Sequence, residues 1–300
     1  MLDIVVILII LLFLSAASYS DLRTGEVPDK ISFGLVIILL LLSAAYSIYH
    51  QKLWVIDALI IGGVYFIVGY VMYYLGQWGG ADVKILAGVG LGIGLIAAHG
   101  GESVFAFTVD HHAVSYLVDI LFIITPYVGA YALILGVLNK GVFSGFKGSI
   151  REKNFLIIFF LSLIPAAILL PSSLTNIMPI NKFLIIIALI LPPVVLLSQY
   201  LKVVEKTALR KTIDVEELSE YDMVAEDIIV DGEKIACKRD VDGLSKEQIE
   251  KIRDLAGEQK IPPTITVKYG IFFIPVFLLA FLLFLWAGNV LKVLVSLMLI

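Results

Sequence analysis

Apolar residues in this chain gather in long unbroken runs instead of alternating with polar ones. Runs of the length that crosses a bilayer, about 17–25 residues, lie at roughly 2–20, 31–49, 55–75, 83–98, 113–138, 154–170, 183–201 and 270–287. Each predicts a transmembrane helix. The fourth is short and carries Gly88, Gly90, Gly92 and Gly94, which suits a helix packed closely against its neighbours. A ninth stretch, Val290–Ile300, follows Gly288-Asn289 and is too short to span unaided. The pattern predicts an all-α polytopic membrane protein of about eight transmembrane helices, with a small α+β cytoplasmic domain near the C-terminus.

The polar stretch 202–267 is that domain; it separates a transmembrane core at 1–201 from a C-terminal segment at 268–300. Within it, Asp227–Lys238 reads as a β-hairpin turning at Asp231-Gly232, a pair that tolerates positive φ. Ser245-Lys-Glu-Gln248 reads as a capping box opening a helix to about Ala256. Leu244 and Ile249 sit at the positions of a hydrophobic staple, and Gly257 where the helix should stop.

Composition strengthens the membrane reading: 60% of residues are hydrophobic, against roughly 45–50% in ordinary soluble domains. The formal charge of −4 conceals an asymmetry, because residues 202–267 hold 16 Asp/Glu against 11 Lys/Arg. A net-acidic soluble piece argues against nucleic acid as partner. The single cysteine, Cys237, allows neither a disulfide nor a Cys-x-x-Cys zinc site within one chain. The sequence opens Met-Leu-Asp with no basic n-region, so the first run reads as a retained helix and not a cleaved signal. Arg23, Lys30, Lys84, Lys140, Lys147, Arg151 and Lys153 flank alternate loops, while Lys52 and Lys182 lie on the other side. The positive-inside rule then puts the N-terminus outside and the first loop, the Asp82 loop, the 139–153 loop and 202–267 in the cytoplasm.

On that topology Asp21 and Asp82 share the cytoplasmic face although 61 positions apart. Two carboxylates brought together in a low-dielectric site cannot both ionise easily and share a proton. One can then take a proton from water while the other gives one to a carbonyl oxygen. The plainer reading makes Asp21 an interfacial residue opening a loop and Asp82 the N-cap of a helix. The matching side of the membrane and the glycines around Asp82 favour the functional one.

Asp21-Leu-Arg23 with Val27-Pro28-Asp29, followed by Gly79-Gly-Ala-Asp-Val-Lys84, resembles the two signature regions of the prepilin peptidase family, membrane aspartic proteases of the Gly-x-Gly-Asp type. The layout is similar to the archaeal preflagellin and type IV prepilin-like branch. The resemblance is carried most strongly by residues 18–34 and 76–94, less by 221–278. It implies that Asp21 and Asp82 are the catalytic pair, that Gly79 and Gly80 shape the loop, and that Lys84 stays near the same end. Ala81 departs from the motif's second glycine, which removes some backbone freedom, and Asp29 replaces the asparagine usual in bacterial members. The implied partner is a pilin- or archaellin-type precursor cut at the cytoplasmic face of the cell membrane, just before its hydrophobic helix. Its short basic leader would be attracted by Glu26, Asp29 and the acidic domain. No cofactor or metal is implied, and a lone cysteine leaves no four-cysteine zinc module.

Other residues carry weaker signals. Arg23 could orient a carboxylate or anchor the cytoplasmic helix end. His99, Asp110, His111 and His112 share an external loop without diagnostic ligand spacing. Asp57 reads as interfacial, and Asp119, about six residues into the fifth run, as facing the bundle or a polar partner. The alternative function is a secondary transporter or channel using Asp21 and Asp82 as proton or cation sites. It would call for paired broken helices in repeated halves, and no such repeat is visible. A binding scaffold finds no recognition surface in 202–267, and a presenilin-like protease would place both aspartates inside adjacent spans.

Overall fold

The computed structural model describes residues 2–103, 111–174, 182–220, 222–240, 243–290, 292–293 and 296. Each of the eight apolar runs becomes a helix: α1 Leu2–Thr24, α2 Asp29–His50, α3 Trp54–Tyr74, α4 Gly80–His99, α5 His112–Leu138, α7 Lys153–Leu174, α8 Lys182–Thr207 and α10 Ile274–Ala287. Seven contain a stretch long and apolar enough to cross a membrane; α10, at 14 residues, is shorter. The run predicted from 270 loses its first residues to an extended segment, and Pro275 in the first turn of α10 suits a helix that begins just before it. Much of 290–300 lies outside the described residues.

Two further helices complete the set. The stretch 139–153, expected as a loop, holds α6 (Lys140–Ser149), capped by the Asn139 side chain accepting from Gly141 N at 3.0 Å. The polar α9 (Lys246–Gly257) carries the expected box, with Gln248 N donating to Ser245 Oγ at 3.3 Å and Ser245 N to Gln248 Oε1 at 2.9 Å. Leu244 and Ile249 are both buried. The helix stops at Gly257, where expected, although the left-handed position falls two residues on, at Gln259 (φ 58°).

The chain forms two compact units. The first comprises residues 1–127, 213–265 and 270–300. Its core is α4, enclosed by α1, α2 and α3, with α10 packed on α1. The glycines on α4 explain how: a Cβ on Gly88 would lie 2.8 Å from Leu35 of α2, on Gly90 2.9 Å from Tyr65 of α3, and on Gly92 2.6 Å from Ile10 of α1. At Gly94 the obstacle is backbone, Ala58 Cα at 2.8 Å. Each glycine thus meets a neighbouring helix at a distance that leaves no room for a side chain.

Strands β2 (Met223–Val224), β3 (Ile228–Val230) and β4 (Glu233–Ala236) belong to this unit, while β1 (Arg210–Asp214) and β5 (Thr264–Lys268) are each divided between it and the second. β3 and β4 form the predicted antiparallel hairpin, Val230 facing Glu233, with Asp231 (φ 51°) and Gly232 (φ 83°) both in the left-handed region. Asp227 pins the hairpin base, accepting from Lys238 N at 2.8 Å and pairing with Lys234 at 2.8 Å. Those bonds, the lysine's first, hold the Asp227 carboxyl down at about 2.

The second unit comprises residues 128–212 and 266–269. The C-terminal end of α5, then α6, α7 and α8, make it up, with α7 and α8 packed along each other. Tyr200 on α8 ties the group together, donating to Ala132 O at 3.1 Å and meeting the Phe146 ring of α6 at 5.3 Å.

Candidate active site

Asp21 occupies the last turn of α1, a helix that runs four residues beyond the apolar stretch to Thr24. Gly25, with φ 76°, ends it by donating its N–H to Asp21 O at 2.8 Å. The hydroxyls of Ser20 and Thr24 donate to Glu26 O, folding the chain back toward Pro28 and α2. Asp82 lies in the first turn of α4. The helix cap is Gly79, not Asp82 as the plainer reading had it. Asp82 N donates to Gly79 O at 3.1 Å and Gly79 N to Asp82 Oδ2 at 2.8 Å, so the carboxylate serves the reciprocal role of a third-position acid.

The two carboxylates lie within electrostatic reach of one another, each 8% exposed. A third segment closes on them: Ile274 N, at the start of α10, donates to Asp21 Oδ2 at 3.1 Å. Trp78, just before the Gly79 cap, packs its ring against Phe273 at 4.9 Å and Phe277 at 5.4 Å. The stretch holding Asp82 and the stretch binding Asp21 are therefore joined through aromatic contacts. Sequence reasoning missed Trp78, Phe273 and Ile274. The family resemblance covered their stretches, 76–94 and 221–278, without giving any of the three a role, and a backbone donor 253 positions away leaves no local trace.

Ala81 needs no special backbone. It sits inside the first turn of α4, and neither Gly79 nor Gly80 has positive φ; the loop's left-handed residue is Gly76 (φ 72°). A small residue suffices there.

Lys84 pairs with Asp29 at 2.5 Å and lies over the Phe33 ring at 4.7 Å. Asp29 is therefore partly neutralised, while the Glu26 side chain is exposed. Arg23 donates to Tyr19 Oη at 3.1 Å, one turn back along α1. At the opposite end of α4, His99 Nδ1 pairs with Asp3 at 2.9 Å, and His111 and His112 both face Glu102; Asp110 lies outside the described residues. These histidines take carboxylates in pairs, and among the described residues no group of three ligands gathers to hold a metal. Asp57 is half-buried in the first turn of α3. Asp119 is fully buried and accepts from Val290 N at 3.0 Å.

The family model describing the type IV leader peptidase family matches residues 8–191, a span that includes both Asp21 and Asp82. The chain belongs to the type IV leader peptidase family. Among relatives, it is 32% identical over 75 residues to the prepilin peptidase EppA of Methanothermobacter thermautotrophicus, covering 24% of this chain and 19% of that protein. It is 42% identical over 81 residues to the preflagellin peptidase of Methanococcus voltae, covering 27% of this chain and 34% of that one. The matches thus span about a fifth and a third of those relatives' lengths. No solved structure matches the chain. Within the leader peptidase match, the chain brings together the end of α1 and the start of α4, each with one carboxylate; 202–267 lies outside it.

Proposed function

We propose that this multi-pass membrane protein is an aspartic endopeptidase that removes the short basic leader from pilin- or archaellin-type precursors. Asp21 and Asp82 act as the acid/base pair. One carboxylate takes a proton from the attacking water while the other donates to the scissile carbonyl oxygen, and the two exchange roles as the amine leaves.

The observation that carries this reading is that Asp21 and Asp82 are each nearly closed from solvent, each hydrogen-bonded by a backbone N–H, and held by segments joined through Trp78 and Phe273. Those bonds hold each carboxylate in place while leaving oxygen lone pairs free for a substrate. Family membership and the names of the two relatives support the substrate class.

The site works at the cytoplasmic face of the cell membrane, with the N-terminus outside and 202–267 a cytoplasmic domain between the transmembrane core and the C-terminal segment. The hydrophobic helix of the precursor stays in lipid while its junction with the leader reaches the pair. Glu26 and the acidic domain attract the leader; Asp29, engaged by Lys84, contributes less. Gly79, Gly80 and Ala81 bring the backbone close to the reacting bond.

Co-expression with a tagged pilin-like precursor tests the proposal. The unaltered chain shortens the precursor on a gel, and Asp21→Asn or Asp82→Asn leaves it at full length. Full processing by either variant would overturn the assignment.

A further inference from the structure

The second unit contains a cavity of about 470 Å³ bounded by α6, α7 and α8, which leader cleavage as proposed above does not use. Its α8 wall is formed by Val195, Ser198, Gln199, Lys202, Val203, Lys206 and Thr207. The spacing i, i+3, i+4, i+7, i+8, i+11, i+12 puts them on one helix face. That face is graded. Along α8, Val195 lies toward one end of the wall and Lys202 and Lys206 toward the other; Ser149 of α6 and Asn154, Phe155 and Ile158 of α7 also line the cavity. From residue 195 to 206 the wall runs about 16 Å at ~1.5 Å per residue.

Both lysines are exposed, and the ion pair at this end of α8 is Arg210–Glu205, so among the described residues neither lysine has a carboxylate partner. The lining holds one acid, Glu152. Two unpaired ammonium groups one helical turn apart suit a phosphate oxygen cluster, to which lysine donates as a compact point charge. The Asn154 side-chain amide can donate to a remaining oxygen, whereas the hydroxyls of Ser149 and Ser198 already donate to Phe146 O and Val195 O. Glu152 can accept from a hydroxyl carried beyond the phosphate.

We propose that this cavity binds a phosphate ester through Lys202 and Lys206. The apolar Val195 on the part of the α8 wall away from the lysines, and a wall several times longer than a phosphate, favour an ester carried on a lipid, with its first acyl carbons toward Val195 and Ile158.

The test uses the full chain purified from nanodiscs of phosphatidylcholine doped with phosphatidylglycerol, with retained lipid counted by native mass spectrometry. The unaltered protein keeps one phosphatidylglycerol. Lys202→Gln with Lys206→Gln lowers that occupancy by roughly tenfold or more, since each cation near an anionic surface contributes about a factor of five. Lys202→Arg with Lys206→Arg, which keeps the charge, retains the lipid. So does Lys147→Gln with Arg151→Gln, which removes two nearby charges outside the lining. Displacement of the lipid from the unaltered protein by millimolar inorganic phosphate would assign the same site to a soluble phosphate ester. Loss in the outside-lining variant equal to that in the lysine variant, or no lipid or phosphate held by the unaltered protein, would overturn the proposal.

Discussion

α4 and α8 are both long apolar helices, yet 78% of the most apolar stretch of α4 is buried and only 11% of that of α8. The difference is side-chain size. α4 carries glycine where α1, α2 and α3 approach, whereas α7 and α8 present Ile158, Leu161, Leu189 and Val194 to their surroundings. In a bilayer, apolarity does not separate inward from outward faces, because lipid is as apolar as leucine; close packing does. The candidate carboxylates belong to the enclosed region, where their positions are fixed on several sides. The phosphate cavity belongs to the exposed one, where a lipid can reach it.

The contrast can be broken most severely at Gly94. A leucine there would press its Cβ against Ala58 Cα at 2.8 Å and Asp57 O at 3.0 Å, obstacles that cannot rotate away. Gly94→Leu is expected to cost about 3 kcal/mol or more, read as a fall in the thermal midpoint in detergent. Leu161→Ala on the outer face of α7, where the side chain is 58% exposed, should stay within about 0.5 kcal/mol. Comparable losses at the two positions would dissolve the distinction.

The eight apolar helices, seven of them long enough to span, were legible because hydrophobic runs need no partner to be recognised, and the glycine run already signalled a tightly packed helix. The hairpin and the α9 cap were legible for a similar reason: Asp231-Gly232 and Ser245–Gln248 act over a few residues. The pairing of Asp21 with Asp82 could be proposed from topology and motif, but what holds it could not be read. Ile274 and Phe273 meet that site only through tertiary packing, and glycine says that something comes close without saying what. α6 escaped notice because Lys140–Ser149 is glycine-rich and amphipathic, so it reads as a polar loop in a hydrophobicity profile.

A second, slightly smaller effect sharpens how the enclosed region holds the site. Trp78 is buried and bridges the Gly79 cap to the start of α10. Trp78→Ala should cost about 3 kcal/mol, the lower end for a buried tryptophan because lipid is also apolar, and should slow leader cleavage more than it changes substrate affinity. Unchanged kcat with a raised KM would argue that Trp78 contacts the precursor instead.

The smallest effect lies outside the membrane. Asp227 has its carboxyl held at about 2 by Lys234 and Lys238 N, below the ~3.9 of an unfolded aspartate. A depressed value favours the folded state fully above the unfolded value, and that contribution is lost as pH falls toward 2. Asp227→Asn should therefore be slightly less stable than the parent at pH 7, with the gap closing between pH 4 and pH 2. A gap that widens on acidification would contradict the hairpin geometry.

The most direct measurement is the initial rate of leader removal by purified protein, comparing Asp21→Asn, Asp82→Asn and the double variant at matched thermal stability. If the two carboxylates work as one unit, each single change lowers kcat by about 10²–10⁴-fold, and the double change costs little more than the worse single one. Losses that multiply, or a single variant with the parent's rate, would contradict a shared acid/base pair.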